Sequence, residues 1–84
     1  MLTDLQRLAV LIHDRFRCAY CGYQGTFLIR GNLEVEHKIP ISQGGTDVEW
    51  NLQTVCASCN KEKGDKTDTE YRAFLSVRRI ILGS

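Results

Sequence analysis

The four cysteines of the chain form two pairs, Cys18 with Cys21 and Cys56 with Cys59, and two residues separate the members of each pair. A gap of two residues lets both thiolates of a tight turn face one ion, and two such turns supply the four sulfur ligands of a structural zinc site. Two disulfides, a redox pair and unlinked core cysteines are the alternatives. The segment Met1–Asp4 lacks the basic region of a secretory signal, so we expect a reducing, intracellular compartment and favour zinc.

The length of 84 residues suits one domain, and we expect a single domain over residues 1–84. A domain of this size buries only roughly 60 to 65% of the surface that its unfolded chain exposes, so its core alone is a weak source of stability. Zinc binding can contribute on the order of 10 kcal/mol of apparent free energy, which is comparable with the whole stability of a small domain. Closing both cysteine pairs on one ion makes residues 22–55 a single loop, where we expect the functional residues.

Two capping boxes predict the first and last helices. Thr3 with Gln6 opens an amphipathic helix over residues 4–15, and Thr67 with Glu70 opens a helix that continues towards the end of the chain. The apolar residues of the last helix form one stripe. They are Tyr71, Phe74, Leu75, Ile81 and Leu82.

Short apolar runs between these helices predict strands at residues 27–29 and 33–39, which the turn-forming triplet 30–32 separates. A short helix over residues 59–63 is expected to end at Gly64. The element order indicates an α+β fold in which N- and C-terminal helices flank a zinc site. No apolar run is long enough to span a membrane, so we expect no membrane partner.

The loop over residues 42–49 contains a Gly-Gly pair but lacks the lysine of a phosphate-binding P-loop, so we interpret it as turn geometry. Trp50, directly after the loop, is expected to lie in the core beneath it. In the second predicted strand the side-chain period of two sends Glu36 and His37 to opposite faces. A site shared by these two residues therefore requires a twist or bulge.

Four elements follow one another in and beyond the loop that the cysteines close: an acidic–histidine pair, a glycine pair, an Asn-Leu pair, and a cysteine pair with asparagine directly after it. They are Leu33-Glu34-Val35-Glu36-His37-Lys38-Ile39-Pro40, Gly44-Gly45, Asn51-Leu52-Gln53 and Cys56-Ala57-Ser58-Cys59-Asn60-Lys61-Glu62-Lys63-Gly64-Asp65. Their order and spacing resemble the HNH endonuclease (His-Me finger) family. The resemblance covers roughly residues 15–68 and implies a ββα-metal core braced by the four-cysteine zinc.

The resemblance also implies a role for each matched polar residue. His37 corresponds to the general base that activates water, and an imidazole with a pKa of about 6.5 is largely neutral near pH 7. Glu36 and Asn60 correspond to the ligands of a catalytic divalent ion, and their oxygen atoms suit magnesium or manganese. Asn51 corresponds to the asparagine that braces the loop and helps to orient the base.

The chain departs from the family pattern at two of these positions. Glu36 stands where the family usually has Asp or His, so its reach to the ion and the preferred metal are open. Asn60 stands where the last motif residue is His or Asn, and an asparagine could simply cap a helix. His13 lacks any such context and is expected to be an ordinary helix residue.

Lysines near the second cysteine pair could contact substrate phosphates. Lys61 and Lys63 are the candidates, and the alternative is an ordinary solvated face because acidic residues are interleaved with them. The formal net charge of +1 is not that of a strongly basic nucleic-acid binder. Four thiolates and one zinc would bring it to about −1, and a second divalent ion would return it to about +1. Net charge therefore does not exclude nucleic acid.

These observations together predict a zinc-stabilised, metal-dependent HNH endonuclease that hydrolyses DNA. One alternative is a noncatalytic zinc-ribbon module that binds nucleic acid or protein, which would keep the cysteines but would not need His37. Another is a nuclease that acts only inside a larger phage packaging or restriction assembly.

Overall fold

A computed structural model describes residues 2–29 and 31–83 of the chain. Within these ranges the fold is α+β, as predicted, with three α-helices and one two-stranded sheet. In chain order the elements are α1 (Asp4–His13), β1 (Leu33–His37), β2 (Leu52–Cys56), α2 (Ala57–Lys63) and α3 (Asp68–Leu82), and two short 3₁₀ turns, Ile41–Gln43 and Glu49–Asn51, lie between the strands.

The sheet pairs β1 with β2 in antiparallel register, with Leu33 opposite Cys56 and His37 opposite Leu52. The prediction of a strand at residues 27–29 is wrong, because this segment forms a tight turn. The Thr26 N–H donates to the Ile29 carbonyl, and the Ile29 N–H donates to the Thr26 hydroxyl. The turn predicted at residues 30–32 is described only for residues 31 and 32, which do lie in a turn, and Arg30 falls outside the described residues.

Both capping boxes are present and start α1 and α3 at the predicted positions. The first helix ends at His13 rather than at residue 15. The Asp14 carboxylate, just after the helix, accepts a hydrogen bond from the Thr54 backbone N–H at 2.8 Å. Arg15 and Phe16 then have left-handed backbone conformations, with φ of 57° and 55°. This left-handed step reverses the chain and buries the Phe16 ring.

The second helix begins two residues before its predicted start. Cys56 acts as its N-cap, since the Cys56 sulfur accepts a hydrogen bond from the Cys59 N–H, and the helix ends at Lys63 before Gly64 as predicted. Because α2 follows β2 without a loop, it folds back along β1. The order β1, β2, α2 thus gives the expected ββα unit.

The core lies between α1 and the sheet and includes two of the four cysteines. Its buried members are Leu11, Phe16, Cys18, Leu33, Val55 and Cys56. Trp50 is not part of this core, so its predicted position is wrong: its side chain is 66% exposed, while the adjacent Asn51 occupies the buried position of the same 3₁₀ turn.

The apolar stripe of α3 is buried only near its start. Tyr71 is fully buried, whereas Ile81 and Leu82 are 74% and 68% exposed. None of the helices in the described ranges has the length and apolar character needed to cross a bilayer.

Candidate functional site

The four cysteine sulfurs lie within 4.8 Å of one another, and the Sγ atoms of Cys21 and Cys56 are 3.7 Å apart. Four thiolates around one zinc, each about 2.3 Å from it, stand about 3.8 Å apart at the edges of the tetrahedron. The cluster therefore fits a four-coordinate zinc ion. Cys18 and Cys56 are buried, so such an ion would lie against the hydrophobic core.

The thiols of this cluster differ in their tendency to ionise. Burial alone would raise the pKa of Cys18, but backbone hydrogen bonds from the two cysteine turns lower it to about 7. The pKa values of Cys21 and Cys59 are raised, first by burial and then by hydrogen bonds to neighbouring sulfurs. Sulfurs packed this closely cannot all carry charge unless a cation joins them, which is the condition that zinc supplies.

A polar network that the sequence motifs do not reveal ties the first cysteine turn to α3. The Tyr20 hydroxyl donates to Asp68 at 2.7 Å and accepts from Gln53 of β2 at 2.6 Å, while Arg72 donates to Asp68 at 3.0 Å. The Tyr20 ring also meets Tyr71 edge to face. The start of α3 is thereby fixed beside the cysteine cluster.

β1 pairs residue for residue with β2 up to His37, so the bulge that a site shared by Glu36 and His37 was expected to require is not present in this strand. The Glu36 carboxylate instead turns back and accepts a hydrogen bond from the His37 backbone N–H at 2.7 Å. The His37 side chain is 18% exposed, and its Nε2 lies 2.7 Å from Oδ1 of Asp47. The imidazole at the end of β1 therefore faces the Asp47 carboxylate, while the Glu36 carboxylate is held by the His37 backbone.

The structure brings Asn60 to Glu34 rather than to Glu36. The Asn60 amide donates from Nδ2 to Oε1 of Glu34 at 2.7 Å, and no hydrogen bond joins Asn60 to Glu36 within the described part of the chain. Glu34 was missed by the sequence analysis, although it precedes Glu36 by two residues and so shares its face of β1. Because the amide nitrogen is used by Glu34, the Asn60 Oδ1 is left to act as an oxygen ligand.

The donor set at this edge suits a hard divalent ion. Glu36 and Asn60 supply a carboxylate and an amide oxygen, which are ligands that magnesium and manganese accept, and Glu34 adds a second carboxylate on the same strand face. Magnesium usually takes few protein ligands and retains several waters. The residue types at this edge are therefore ones that such an ion accepts, while the binding of an ion by Glu36 and Asn60 stays a prediction.

Asn51 is fully buried and holds both ends of the loop between the strands. Its side-chain amide accepts from Ile39 N–H at 2.8 Å and donates to the carbonyls of Ile39 and Thr46 at 3.1 and 2.8 Å. Its backbone carbonyl accepts from the Lys38 N–H, directly after His37. These contacts correspond to the loop-bracing geometry expected for Asn51, while a direct catalytic role stays a prediction.

One of the two glycines in this loop, Gly45, is required because the backbone at Ile39 approaches it closely. A Cβ at Gly45 would lie 1.8 Å from the Ile39 carbonyl oxygen, whereas a Cβ at Gly44, where φ is +88°, would meet nothing within 4 Å. We expect Gly45→Ala to destabilise the fold by about 3 kcal/mol because backbone must move. Gly44→Ala should cost about 1 kcal/mol from its left-handed backbone alone.

Urea denaturation of the zinc-loaded protein would measure both values. Equal losses for the two variants would contradict the importance of the Gly45 contact, because the close approach acts only at Gly45 and the left-handed backbone only at Gly44.

The two candidate lysines have different positions. Lys61 is exposed in the last turn of α2 and remains available for a phosphate. Lys63 is fully buried, and its ammonium donates to the His37 carbonyl at 3.1 Å. This burial argues against the phosphate contact predicted for Lys63. Asn60 and Lys63 are three residues apart, so both project from the face of α2 that meets β1.

The remaining histidine stands apart from this arrangement. His13 lies at the end of α1 with its side chain 83% exposed, and its Nδ1 is 3.0 Å from Asp14. It is an ordinary helix residue, as expected from its lack of motif context.

Comparisons with known proteins relate the chain to a family of nucleases. A family model described as HNH endonuclease matches residues 18–66. Over 64 residues the chain is 40% identical to the CRISPR-associated endonuclease Cas9 of Corynebacterium diphtheriae, a match that covers 75% of this chain and 6% of that protein. Over 56 residues it is 42% identical to the Type IV methyl-directed restriction enzyme EcoKMcrA of Escherichia coli, covering 63% of this chain and 20% of that enzyme.

The chain thus corresponds to a small part of each of these relatives. The family match nevertheless runs from the first cysteine pair, through both strands, to the end of α2 and just beyond, and it includes each of the residues His37, Asn51 and Asn60. Since it spans more than half of the sequence, the chain belongs to the HNH endonuclease family.

Proposed function

We propose that this chain is a metal-dependent endonuclease domain, folded as one unit over residues 1–84, that hydrolyses phosphodiester bonds in DNA. The observation that carries the proposal is the position of His37, a half-buried residue at the end of β1. Its imidazole faces Asp47 in the loop held by Asn51, and its backbone N–H donates to Glu36. The two relatives, an endonuclease and a restriction enzyme, favour DNA as the substrate class.

In the proposed reaction, neutral His37 accepts a proton from a water molecule, whose oxygen attacks phosphorus in line with the 3′ oxygen. The bond between phosphorus and the 3′ oxygen breaks, which leaves a 5′ phosphate, and the departing 3′ oxygen takes a proton from solvent water to become a 3′ hydroxyl. A divalent ion bound by Glu36 and Asn60 would supply positive charge where negative charge develops on the phosphate and on the leaving oxygen. Lys61, exposed at the end of α2, contacts a neighbouring phosphate without reading sequence.

Zinc has a separate, structural role in this proposal. The cysteine cluster has four sulfur ligands and so leaves no position for substrate, whereas α2 carries Asn60 directly after the zinc ligand Cys59. We also propose that the domain acts within a larger assembly of the restriction or phage packaging type, a proposal that the restriction enzyme among its relatives favours.

The decisive experiment incubates supercoiled plasmid with zinc-loaded protein, with and without magnesium or manganese. We expect nicked or linear DNA only when the divalent ion is present. Glu36→Ala should slow cleavage by about 10²-fold or more, because it removes a carboxylate ligand of the ion.

Glu49→Ala is the matched control, since it removes an exposed carboxylate from the 3₁₀ turn before β2 and should cleave at the wild-type rate. If folded, zinc-loaded wild type binds DNA but does not cleave it with either ion, the nuclease proposal is overturned in favour of a noncatalytic binding module. If Glu36→Ala cleaves as fast as wild type, the ion does not act through Glu36.

A further inference from the structure

The loop between the strands brings Asp47 to the imidazole of His37, ten residues earlier in the chain. The distance from His37 Nε2 to Asp47 Oδ1 is 2.7 Å. Asp47 lies outside the sequence elements that resemble the HNH family. Sequence periodicity gives no sign of its contact with His37, because the contact depends on the path of the loop.

The backbone on both sides of Asp47 is held by one residue. The Thr46 carbonyl accepts a hydrogen bond from the Asn51 side-chain amide at 2.8 Å, and the Val48 carbonyl accepts one from the Asn51 backbone N–H at 2.9 Å. Asn51 is fully buried at the end of the 3₁₀ turn that precedes β2. The Asp47 carboxylate is therefore presented to His37 by a fixed backbone rather than by a free loop tip.

The contact with Asp47 also determines which ring nitrogen of His37 carries hydrogen. A hydrogen bond from His37 is the main cause that lowers the pKa of the Asp47 carboxyl, so this group is ionised near neutral pH and can only accept. Nε2 must then be the donor. In a neutral imidazole with hydrogen on Nε2, the other nitrogen, Nδ1, has a free lone pair, and no hydrogen bond to Nδ1 exists among residues 2–29 and 31–83.

We propose that Asp47 is a positioning residue that holds His37 as the Nε2–H tautomer, so that Nδ1 is the atom that takes the proton from the attacking water. This inference rests on the proposed nuclease function. Asp47 itself does not touch substrate or ion, and it acts by orienting the ring and by favouring the imidazolium that forms when Nδ1 accepts the proton. A carboxylate that orients a catalytic histidine in other hydrolases works by the same physical means.

The test combines a spectroscopic measurement of the tautomer with the cleavage rate. Long-range ¹H–¹⁵N NMR at a pH of about 8.5, where an ordinary imidazole is neutral, reports which nitrogen is protonated. The chain has two histidines, and His13, with its side chain 83% exposed, serves as an internal reference. We expect wild-type His37 to have hydrogen on Nε2.

Asp47→Asn keeps the size of the side chain but allows its amide to donate to Nε2, which places hydrogen on Nδ1. We expect its His37 signals to shift towards the Nδ1–H tautomer and its cleavage to slow by on the order of 10²-fold with unchanged zinc content. Asp47→Glu retains a carboxylate and should recover the wild-type tautomer and part of the rate. Glu49→Gln makes the same change of charge in the same segment and should leave both readouts unchanged.

Failure of the positioning role and failure of the nuclease proposal give different results. If wild type cleaves DNA and Asp47→Asn cleaves equally fast, or if wild-type His37 has hydrogen on Nδ1, the positioning role is overturned while the nuclease proposal stands. If wild type with an Nε2–H His37 does not cleave at all, the nuclease proposal fails and the role of Asp47 in catalysis fails with it.

Discussion

Replacing Cys56 by serine should leave the chain unfolded at 25 °C and unable to retain zinc. Cys56 ends β2, caps α2 through its sulfur and belongs to the buried core, so the substitution removes a metal ligand and a cap at one position. Structural zinc contributes on the order of 10 kcal/mol of apparent free energy in small domains, which is as much as the whole stability expected here. Chelation of zinc from the wild type should have the same effect.

Zinc content by mass spectrometry and far-ultraviolet circular dichroism would measure both results. Ser58→Ala is the matched control, because Ser58 lies exposed between Cys56 and Cys59 and is not a ligand. This variant should retain one zinc per chain and its helical signal. A Cys56→Ser protein that melts at the wild-type temperature, or a chelated wild type that stays folded, would contradict the zinc assignment and favour core cysteines or disulfides.

The second large effect is expected for His37→Ala, which should lower the cleavage rate by about 10²- to 10⁴-fold, the usual contribution of a general base. This substitution removes the imidazole without disturbing the backbone contacts of residue 37. Its backbone N–H still donates to Glu36 and its carbonyl still accepts from Lys63, so both main-chain contacts of this position survive. Zinc content and melting temperature should therefore stay close to those of wild type.

His13→Ala supplies the comparison, since it removes the other histidine of the chain from an exposed site on α1. Its plasmid cleavage with magnesium should match that of wild type in a single-turnover time course. If His37→Ala cleaves within about threefold of wild type, a base other than His37 activates the water, even if the chain is a nuclease.

The helices and the cysteine cluster could be predicted because their signals are local. Capping boxes at Thr3 and Thr67 identify the starts of α1 and α3, since each needs only residues within one turn. The cysteine pairs indicate a common ion through their spacing alone. No such local signal identifies β2, because all five of its residues are buried, polar Gln53 and Thr54 included, so its sequence lacks the alternation of a half-exposed strand.

The candidate site was predictable in its residue types and less so in its contacts. Lys63 is predicted as a surface cation because lysine is rarely buried, and only the fold shows its ammonium beneath His37. Glu34 contacts Asn60, which is 26 positions away, and Asp47 contacts His37, which is 10 positions away. Such pairings depend on how strand, helix and loop meet. Trp50 was placed in the core by its apolar character, although its neighbour Asn51 fills that position.

The second helix sets a strict length requirement on this part of the chain. Within five residues it presents Cys59 to the metal cluster, Asn60 to Glu34 and Lys63 to the His37 carbonyl. Each residue of an α-helix turns the next by about 100°, so inserting or deleting one residue between Cys59 and Lys63 would swing one of these side chains away from its partner. The exposed turn that Thr26 and Ile29 close makes its hydrogen bonds within itself, so divergence in chain length within this fold is expected there rather than in α2.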